Sequence, residues 1–123
     1  MSPRDTRSSS AKAPREAQSA RAGLAARRVA MEILIQVEAR AAFANVLLGA
    51  RLPGLSPADR RLATRLVLGT IAWRGRLDYE IEHFVARPLS EIDIPSLQIL
   101  RMGLFRMAAL ARLFARRGRV PLG

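Results

Sequence analysis

The chain has 123 residues, of which 50% are hydrophobic, and a net charge of +11 at pH 7 that rests on 20 Arg and a single Lys. This length fits one small domain and leaves no room for two. The chain contains no Cys, which excludes a disulfide framework, thiolate metal ligands and a cysteine nucleophile. Its apolar runs are far shorter than the roughly 20 residues that a membrane-spanning helix needs. We therefore expect a cytoplasmic protein with no membrane contact.

The positive charge is concentrated at the two ends of the chain. Residues 1–28 carry seven basic and two acidic side chains, residues 29–100 carry eight of each, and residues 101–123 carry six basic and no acidic ones. Basic ends on a neutral body are typical of contact with a polyanion, because neutralising phosphates supplies affinity that does not depend on sequence. The alternative is a solvated Arg excess that reflects high genomic GC content.

The first 40 residues are interpreted as a disordered arm followed by a helix. Residues 1–20 are rich in Ser, Arg and Ala and lack an apolar side, which indicates a disordered basic arm. Apolar residues then recur at helical spacing, which predicts an amphipathic first helix from about Arg21 to Arg40. A second helix is predicted from about Phe43 to Leu52, before Pro53 and Gly54, with three side chains facing inward, namely Phe43, Val46 and Leu47.

The third predicted helix has the clearest start in the chain. Ser56 can cap free backbone donors, Pro57 suits the first helical position, and Asp59 meets the positive end of the helix dipole. One stripe of this helix is predicted to face the core, and it includes Leu62, Leu66, Gly69 and Trp73. The third helix is therefore expected to form the centre of the core. Gly75 is expected to break the helix after Arg74. A short fourth helix should follow and end before Pro88, with its inner side formed by Leu77, Ile81, Phe84 and Val85.

The fifth helix is predicted from about Ile94 to Ala115. Its apolar stripe comprises Leu97, Leu100, Leu104, Met107 and Ala111, and a basic strip on another side comprises Arg101, Arg112 and Arg116. Residues 116–123 are then a basic tail, since Gly118 and Pro121 end regular structure. Nothing in the chain alternates with strand period, so the predicted fold class is all-α.

Several segments resemble the NusB-like domain, which is found in transcription antitermination factor NusB and at the front of RsmB-type ribosomal RNA cytosine-5 methyltransferases. The resemblance runs from about Ala22 to Met107 and is closer to the methyltransferase-attached version. It rests on AFANVLL at 42–48, LSPADRRLATRLVLGTIAWRGRLD at 55–78, RPL at 87–89 and ILRMG at 99–103. It implies a helical bundle, here assigned to residues 21–115, with about five helices and without the last two helices of the fold. If those helices are absent, we expect exposed apolar side chains at Leu104, Met107, Leu110 and Leu113.

The resemblance also implies which arginines contact RNA. Arg27 and Arg28, together with Arg21, match the basic start of the first helix that meets RNA in NusB-like domains, although a solvated helix start is the alternative. Arg74 and Arg76 lie beside Trp73 and can offer guanidinium groups to phosphate. Two roles remain open at the family position that Arg101 matches: a structural ion pair and an RNA contact. A further three arginines are expected to be merely solvated, namely Arg60, Arg61 and Arg65.

A catalytic role is not predicted. His83 is the single His, it has no Ser or acid partner at a recognisable spacing, and the chain has no Gly-rich phosphate loop and no acidic cluster with metal-ligand spacing. Asp78, Glu80 and Glu82 are expected to form a solvated acidic face that pairs with Arg74 or Arg76. We therefore predict no catalytic residue, no cofactor and no metal.

The predicted function is that of an RNA-binding module that acts in rRNA modification or transcription antitermination. Its expected partners are ribosomal RNA and a ribosomal or transcription-elongation protein, as the resemblance implies. Two alternatives stay open: a truncated front end of an rRNA (cytosine-5) methyltransferase, and a protein-interaction domain whose basic charge is incidental.

Overall fold

The computed structural model describes residues 23–118, and within them every regular element is a helix, which confirms the predicted all-α class. The predicted arm at 1–20, Arg21 and the end of the predicted tail at 119–123 lie outside the described residues. Two short 3-10 turns, Leu52–Gly54 and Leu89–Glu91, connect the larger elements. The five α-helices are α1 (Leu24–Arg40), α2 (Ala44–Arg51), α3 (Pro57–Ala72), α4 (Arg74–Val85) and α5 (Ile94–Gly118).

The helix boundaries follow local capping chemistry. Ser56 caps α3 as predicted, because its Oγ accepts a hydrogen bond of 3.2 Å from the backbone N–H of Asp59. Asp93 does the same for α5, where its carboxylate accepts a 3.0 Å hydrogen bond from the backbone N–H of Ser96. That hydrogen bond holds the pKa of Asp93 below its usual value. The predicted break between the third and fourth helices is present but lies at Trp73, because α3 ends at Ala72 and Gly75 lies inside the first turn of α4.

The core is built around α1, which packs against α3 and α5, while α2 covers one edge. Five residues of α1 are buried at helical spacing, and α4 adds Leu77 and Ile81 where it packs on α5. Burial of these aliphatic side chains is the main favourable term that holds so small a bundle together. The central cluster consists of Val29, Ala30, Ile33, Leu34, Leu48, Leu66, Val67 and Met102.

Three aromatic or aliphatic side chains that were predicted to face inward are exposed. Phe43, Val46 and Phe84 are 79%, 68% and 75% exposed, so these predictions are wrong. The two helices that carry Val46 and Phe84 are short and lie at the edge of the bundle, where one narrow stripe meets the core. Leu48 is the buried residue of α2, and Ile81 is fully buried in α4.

The inner side of α5 also differs from the predicted stripe. Leu97 is buried as expected, but Leu100 and Met107 are exposed, and the buried side includes the polar Gln98 and the charged Arg101. A stripe defined by apolar residues alone cannot identify an inner side that carries a guanidinium. The expected apolar exposure near the end of α5 is confirmed for Met107, Leu110 and Leu113, whereas Leu104 is half-buried.

Gly69 permits the close approach of α3 and α5. A Cβ at this position would collide with the ring of Phe105, which packs directly against the glycine backbone. Phe105 in turn packs against the central cluster. Any change in the distance between α3 and α5 would therefore move Phe105 and disturb the packing of the core.

We expect Gly69→Ala to lower the free energy of unfolding by about 1 to 2 kcal/mol, because forced displacement of Phe105 outweighs the gain in helix propensity. Gly103→Ala is the matched control, since a Cβ there would meet nothing within 4 Å. That variant should be more stable than the wild type by about 0.5 to 1 kcal/mol. Urea denaturation followed by circular dichroism measures both changes. Equal stabilisation by the two substitutions would contradict the contact between Gly69 and Phe105.

Candidate nucleic-acid interface

Arg101 lies at the centre of an internal ion-pair network that links α1, α4 and α5. Its side chain is 4% exposed, and its guanidinium donates to both carboxylate oxygens of Asp78 at 2.7 and 2.9 Å and to Glu38 at 3.3 Å. Burial lowers the pKa of Arg101, but the hydrogen bond and the negative charge of Asp78, together with Glu38, outweigh it and raise the pKa above its ordinary value. Of the two roles open to Arg101, the geometry supports the structural one.

Arg74 joins the same network from its outer edge. Its guanidinium lies 3.1 Å from a carboxylate oxygen of Glu38 and 3.9 Å from one of Asp78. The predicted pairing of the acidic face with Arg74 is therefore confirmed for Asp78, while Glu80 and Glu82 are exposed. Because two carboxylates already hold Arg74, it is a weaker candidate for phosphate contact than an arginine on an acid-free surface.

Trp73 is half-buried between two arginines and is not part of the core cluster. The guanidinium carbon of Arg112 lies 4.1 Å from the ring centroid, and that of Arg76 lies 5.5 Å from it. Both distances are within the range of cation–π attraction. The indole is therefore already covered by Arg112, which leaves it poorly placed to stack on a base.

The start of α1 presents Arg27 and Arg28 on a helix whose first turn holds no acidic residue. Arg28 is exposed and Arg27 is half-buried. Gly23 precedes the helix in a left-handed conformation, with φ of 80°, and lies so close to Leu62 that a side chain there would meet it. The basic start of α1 is thereby fixed against α3. Free backbone N–H groups and two guanidinium groups at one helix end favour an anion.

A second basic surface lies between α3 and α5, and we call it the arginine groove. It has a volume of about 880 Å³ and an apolar floor made by Leu68, Gly69, Trp73, Phe105 and Leu113. Among the described residues, none of its rim arginines forms an ion pair. Arg60 is held by a 2.9 Å hydrogen bond from its Nε to the carbonyl oxygen of Leu55. The rim consists of Arg60, Arg61 and Arg65 of α3 and Arg112 and Arg116 of α5.

The arginine groove bears on two sequence predictions. Arg60, Arg61 and Arg65 are exposed, as expected, and they line the same groove as two arginines of α5. The predicted strip of Arg101, Arg112 and Arg116 is wrong, since Arg101 is buried in the ion-pair network. Arginines spaced four apart in each helix were a usable signal, but only tertiary packing shows that the two sets line one groove.

Comparison with known proteins assigns the helical bundle to a family. The model of the NusB family matches residues 24–113, which contain α1 to α4 and most of α5. The chain belongs to the NusB family. This confirms the resemblance that was drawn from the segments between Ala22 and Met107. No solved structure matches the chain significantly.

Curated relatives of this NusB-family chain are named as methyltransferases. The "Probable ribosomal RNA small subunit methyltransferase B" of Bacillus subtilis is 34% identical over 89 residues, which cover 71% of this chain and 20% of that protein. A "Putative methyltransferase" of Mycobacterium tuberculosis is 40% identical over 84 residues, which cover 67% of this chain and 18% of that protein. The chain thus spans about a fifth of the length of the curated relatives it matches.

The described part of this NusB-family chain holds neither a metal-binding cluster nor a membrane-spanning helix. Within residues 23–118, no group of three or more His, Cys, Asp or Glu side chains is placed to hold a metal ion. No helix there is both long and apolar enough to cross a membrane. His83 lies with its Nδ1 2.9 Å from the carbonyl oxygen of Tyr79, one turn earlier in α4. The basic start of α1 and the arginine groove are therefore the two candidate sites.

Proposed function

We propose that this chain is an RNA-binding module that acts in rRNA modification or transcription antitermination and performs no chemistry of its own. Membership of the NusB family across residues 24–113 is the observation that carries the proposal. A net charge of +11 and a ribosomal RNA enzyme among the relatives support it. The proposed partners are ribosomal RNA in the cytoplasm and, with it, a ribosomal or transcription-elongation protein.

The proposed RNA contact is the start of α1. Arg27 and Arg28 lie in its first two turns, where the helix dipole adds to their charge and no acidic side chain lies in the first turn. Guanidinium groups bind phosphate oxygens in pairs, so these residues would hold the RNA backbone rather than read bases. Arg21 precedes them in the chain and Arg76 is exposed on α4, and both are proposed to add phosphate contacts.

Arg74 and Arg101 have a different proposed part in RNA binding. Their guanidinium groups hold Glu38 near the end of α1 and Asp78 of α4. We therefore propose that they orient α1 and α4 and do not touch phosphate.

The test is RNA affinity across a salt series for the purified chain and for Arg27→Ala with Arg28→Ala. We expect affinity for a ribosomal RNA fragment to fall by about tenfold or more, and the slope of log affinity against log salt to flatten by about 1.4, the value for two single-stranded phosphate contacts. A scrambled RNA of equal length measures specificity. Circular dichroism verifies that the variant is folded.

The matched control is Arg40→Ala with Arg87→Ala, which removes the same two charges from exposed positions outside both candidate sites. We expect its affinity to fall much less, because charges beyond a Debye length of the RNA are screened. Equal losses in both double variants would show that net charge alone drives binding. Absence of binding at low salt would refute the RNA-binding proposal.

A second candidate function is the RNA-recognising front part of an rRNA (cytosine-5) methyltransferase. The identity of 34% and 40% to two longer proteins named as methyltransferases favours it. A reading frame for a cofactor-binding domain in the genomic DNA after the codon for Gly123 would support this candidate. Absence of such a frame, combined with RNA binding by the chain alone, would favour the free-standing module.

A further inference from the structure

The floor of the arginine groove is an apolar surface that the bundle does not cover. Leu68 is 42% exposed and Leu113 is 46% exposed, and Trp73 and Phe105 lie half-buried between them. Leu68, Trp73 and Phe105 are large side chains that face one open channel, so the groove is more than scattered surface hydrophobicity. Contiguous apolar surfaces with a polar rim are typical of interaction sites.

The walls of the groove have the length of a short helix. On α3 the lining residues run from Arg60 to Trp73, which is about 20 Å along the helix axis, and on α5 they run from Phe105 to Arg116, or about 16 Å. Where two helices pack against each other, a groove remains between their outer sides. The apolar side of a third helix can pack into such a groove. An amphipathic helix of three or four turns matches this length.

The charge on the rim specifies the chemistry of that helix. Three arginines of α3 and two of α5 line the groove, and within residues 23–118 none of these five has an ion-pair partner. Carboxylates on both flanks of an apolar stripe would meet guanidinium groups from both walls. The chain's own residues 1–22 hold five basic and two acidic side chains, so their net charge does not complement the rim.

A protein helix fits the groove better than RNA does. Phosphates could meet the rim, but they would leave Leu68, Phe105 and Leu113 uncovered. RNA-binding sites commonly offer open aromatic faces to unstacked bases, whereas the face of Trp73 is covered by Arg112 at 4.1 Å. Aliphatic side chains from a helix would cover the floor and leave the cation–π contact in place.

We propose that the arginine groove docks an amphipathic α-helix from a protein partner, with an apolar stripe against Leu68, Phe105 and Leu113 and acidic flanks against the rim. The groove shares no residue with the start of α1, where the chain is proposed to hold RNA. The inference does not depend on the RNA-binding proposal.

The probe is a 16-residue peptide without Trp, with Leu along one helical stripe and Glu on both flanks. Trp73 is the single Trp of the chain and lines the groove, so its emission reports binding directly. We expect binding at least about tenfold tighter than that of a shuffled peptide of equal composition, which has the same charge but no stripe. A peptide with Lys in place of Glu should bind weakest.

Two variants locate the bound peptide. Leu68→Gln should weaken binding by about tenfold through loss of apolar contact, while Ile99→Gln, on the outer side of α5 with the side chain 58% exposed, should leave it unchanged. Arg61→Glu with Arg65→Glu should abolish binding of the Glu peptide and strengthen binding of the Lys peptide. This reversal cannot result from misfolding.

Several results would overturn the proposal. These are equal affinities for the striped and shuffled peptides, or loss of binding in Ile99→Gln but not in Leu68→Gln. Concentration-dependent self-association that shifts Trp73 emission would assign the groove to a second copy. An RNA that displaces the striped peptide and whose own binding is insensitive to Leu68→Gln would assign it to nucleic acid. The RNA-binding proposal is tested separately, by the RNA affinity of the double variant Arg27→Ala with Arg28→Ala.

Discussion

Replacing Arg101 with Met is expected to lower the free energy of unfolding by about 3 kcal/mol. The guanidinium is 4% exposed and supplies three hydrogen bonds to Asp78 and Glu38. Met can fill much of the volume of the Arg side chain, but it leaves two carboxylates, 21% and 20% exposed, without their main donor. Because these carboxylates keep some contact with water, the loss should lie at the lower end of the range for broken buried pairs.

Arg74→Met is the matched control for that prediction. Arg74 pairs with the same two carboxylates, but its side chain is 52% exposed. Exposed pairs of this kind contribute about 0 to 1 kcal/mol, so the expected loss is several times smaller. Urea denaturation followed by circular dichroism, with an unchanged m value, measures both variants. If Arg101→Met weakened RNA binding without loss of stability, Arg101 would be a contact residue and the structural role would be refuted.

Ile81→Ala is expected to destabilise the fold by about 3 kcal/mol. Ile81 is 1% exposed and is one of the largest fully buried side chains of the described residues. Its truncation removes apolar contact and leaves a cavity where α4 packs on α5, because a close-packed bundle relaxes only in part. The loss is a large fraction of the total stability of so small a domain.

Phe84→Ala is the control on the same helix. Phe84 is the larger residue, but its side chain is 75% exposed, so the expected change is within about 0.5 kcal/mol. Thermal and urea denaturation of the two variants test the orientation of α4 directly. A large loss for Phe84→Ala with a small one for Ile81→Ala would mean that α4 is rotated so that Phe84, and not Ile81, faces the core.

The candidate sites differ in how far residue patterns could reveal them. The basic start of α1 is local, since Arg27 and Arg28 are adjacent in the chain, and a resemblance over a short segment was enough to single them out. The arginine groove is not local, because Arg61 and Arg112 are 51 positions apart and line one groove only when α3 packs on α5. Arg101 is a case in which the residue pattern misled: the sequence assigned it to a basic strip. In the structure it is buried, because it pairs with carboxylates on two other helices.

The sequence alone was sufficient for the helical class, for the start of α3 at Ser56 and for membership of the NusB family. Those features depend on local chemistry, such as apolar spacing, caps and short motifs, which does not require knowledge of distant residues. Only the tertiary structure decided that Phe84 of α4 is exposed, that the buried side of α5 includes Arg101, and which arginines are paired. Burial and pairing depend on neighbours supplied by other helices, and a polar inner side such as that of Gln98 and Arg101 has no signature in an apolar stripe.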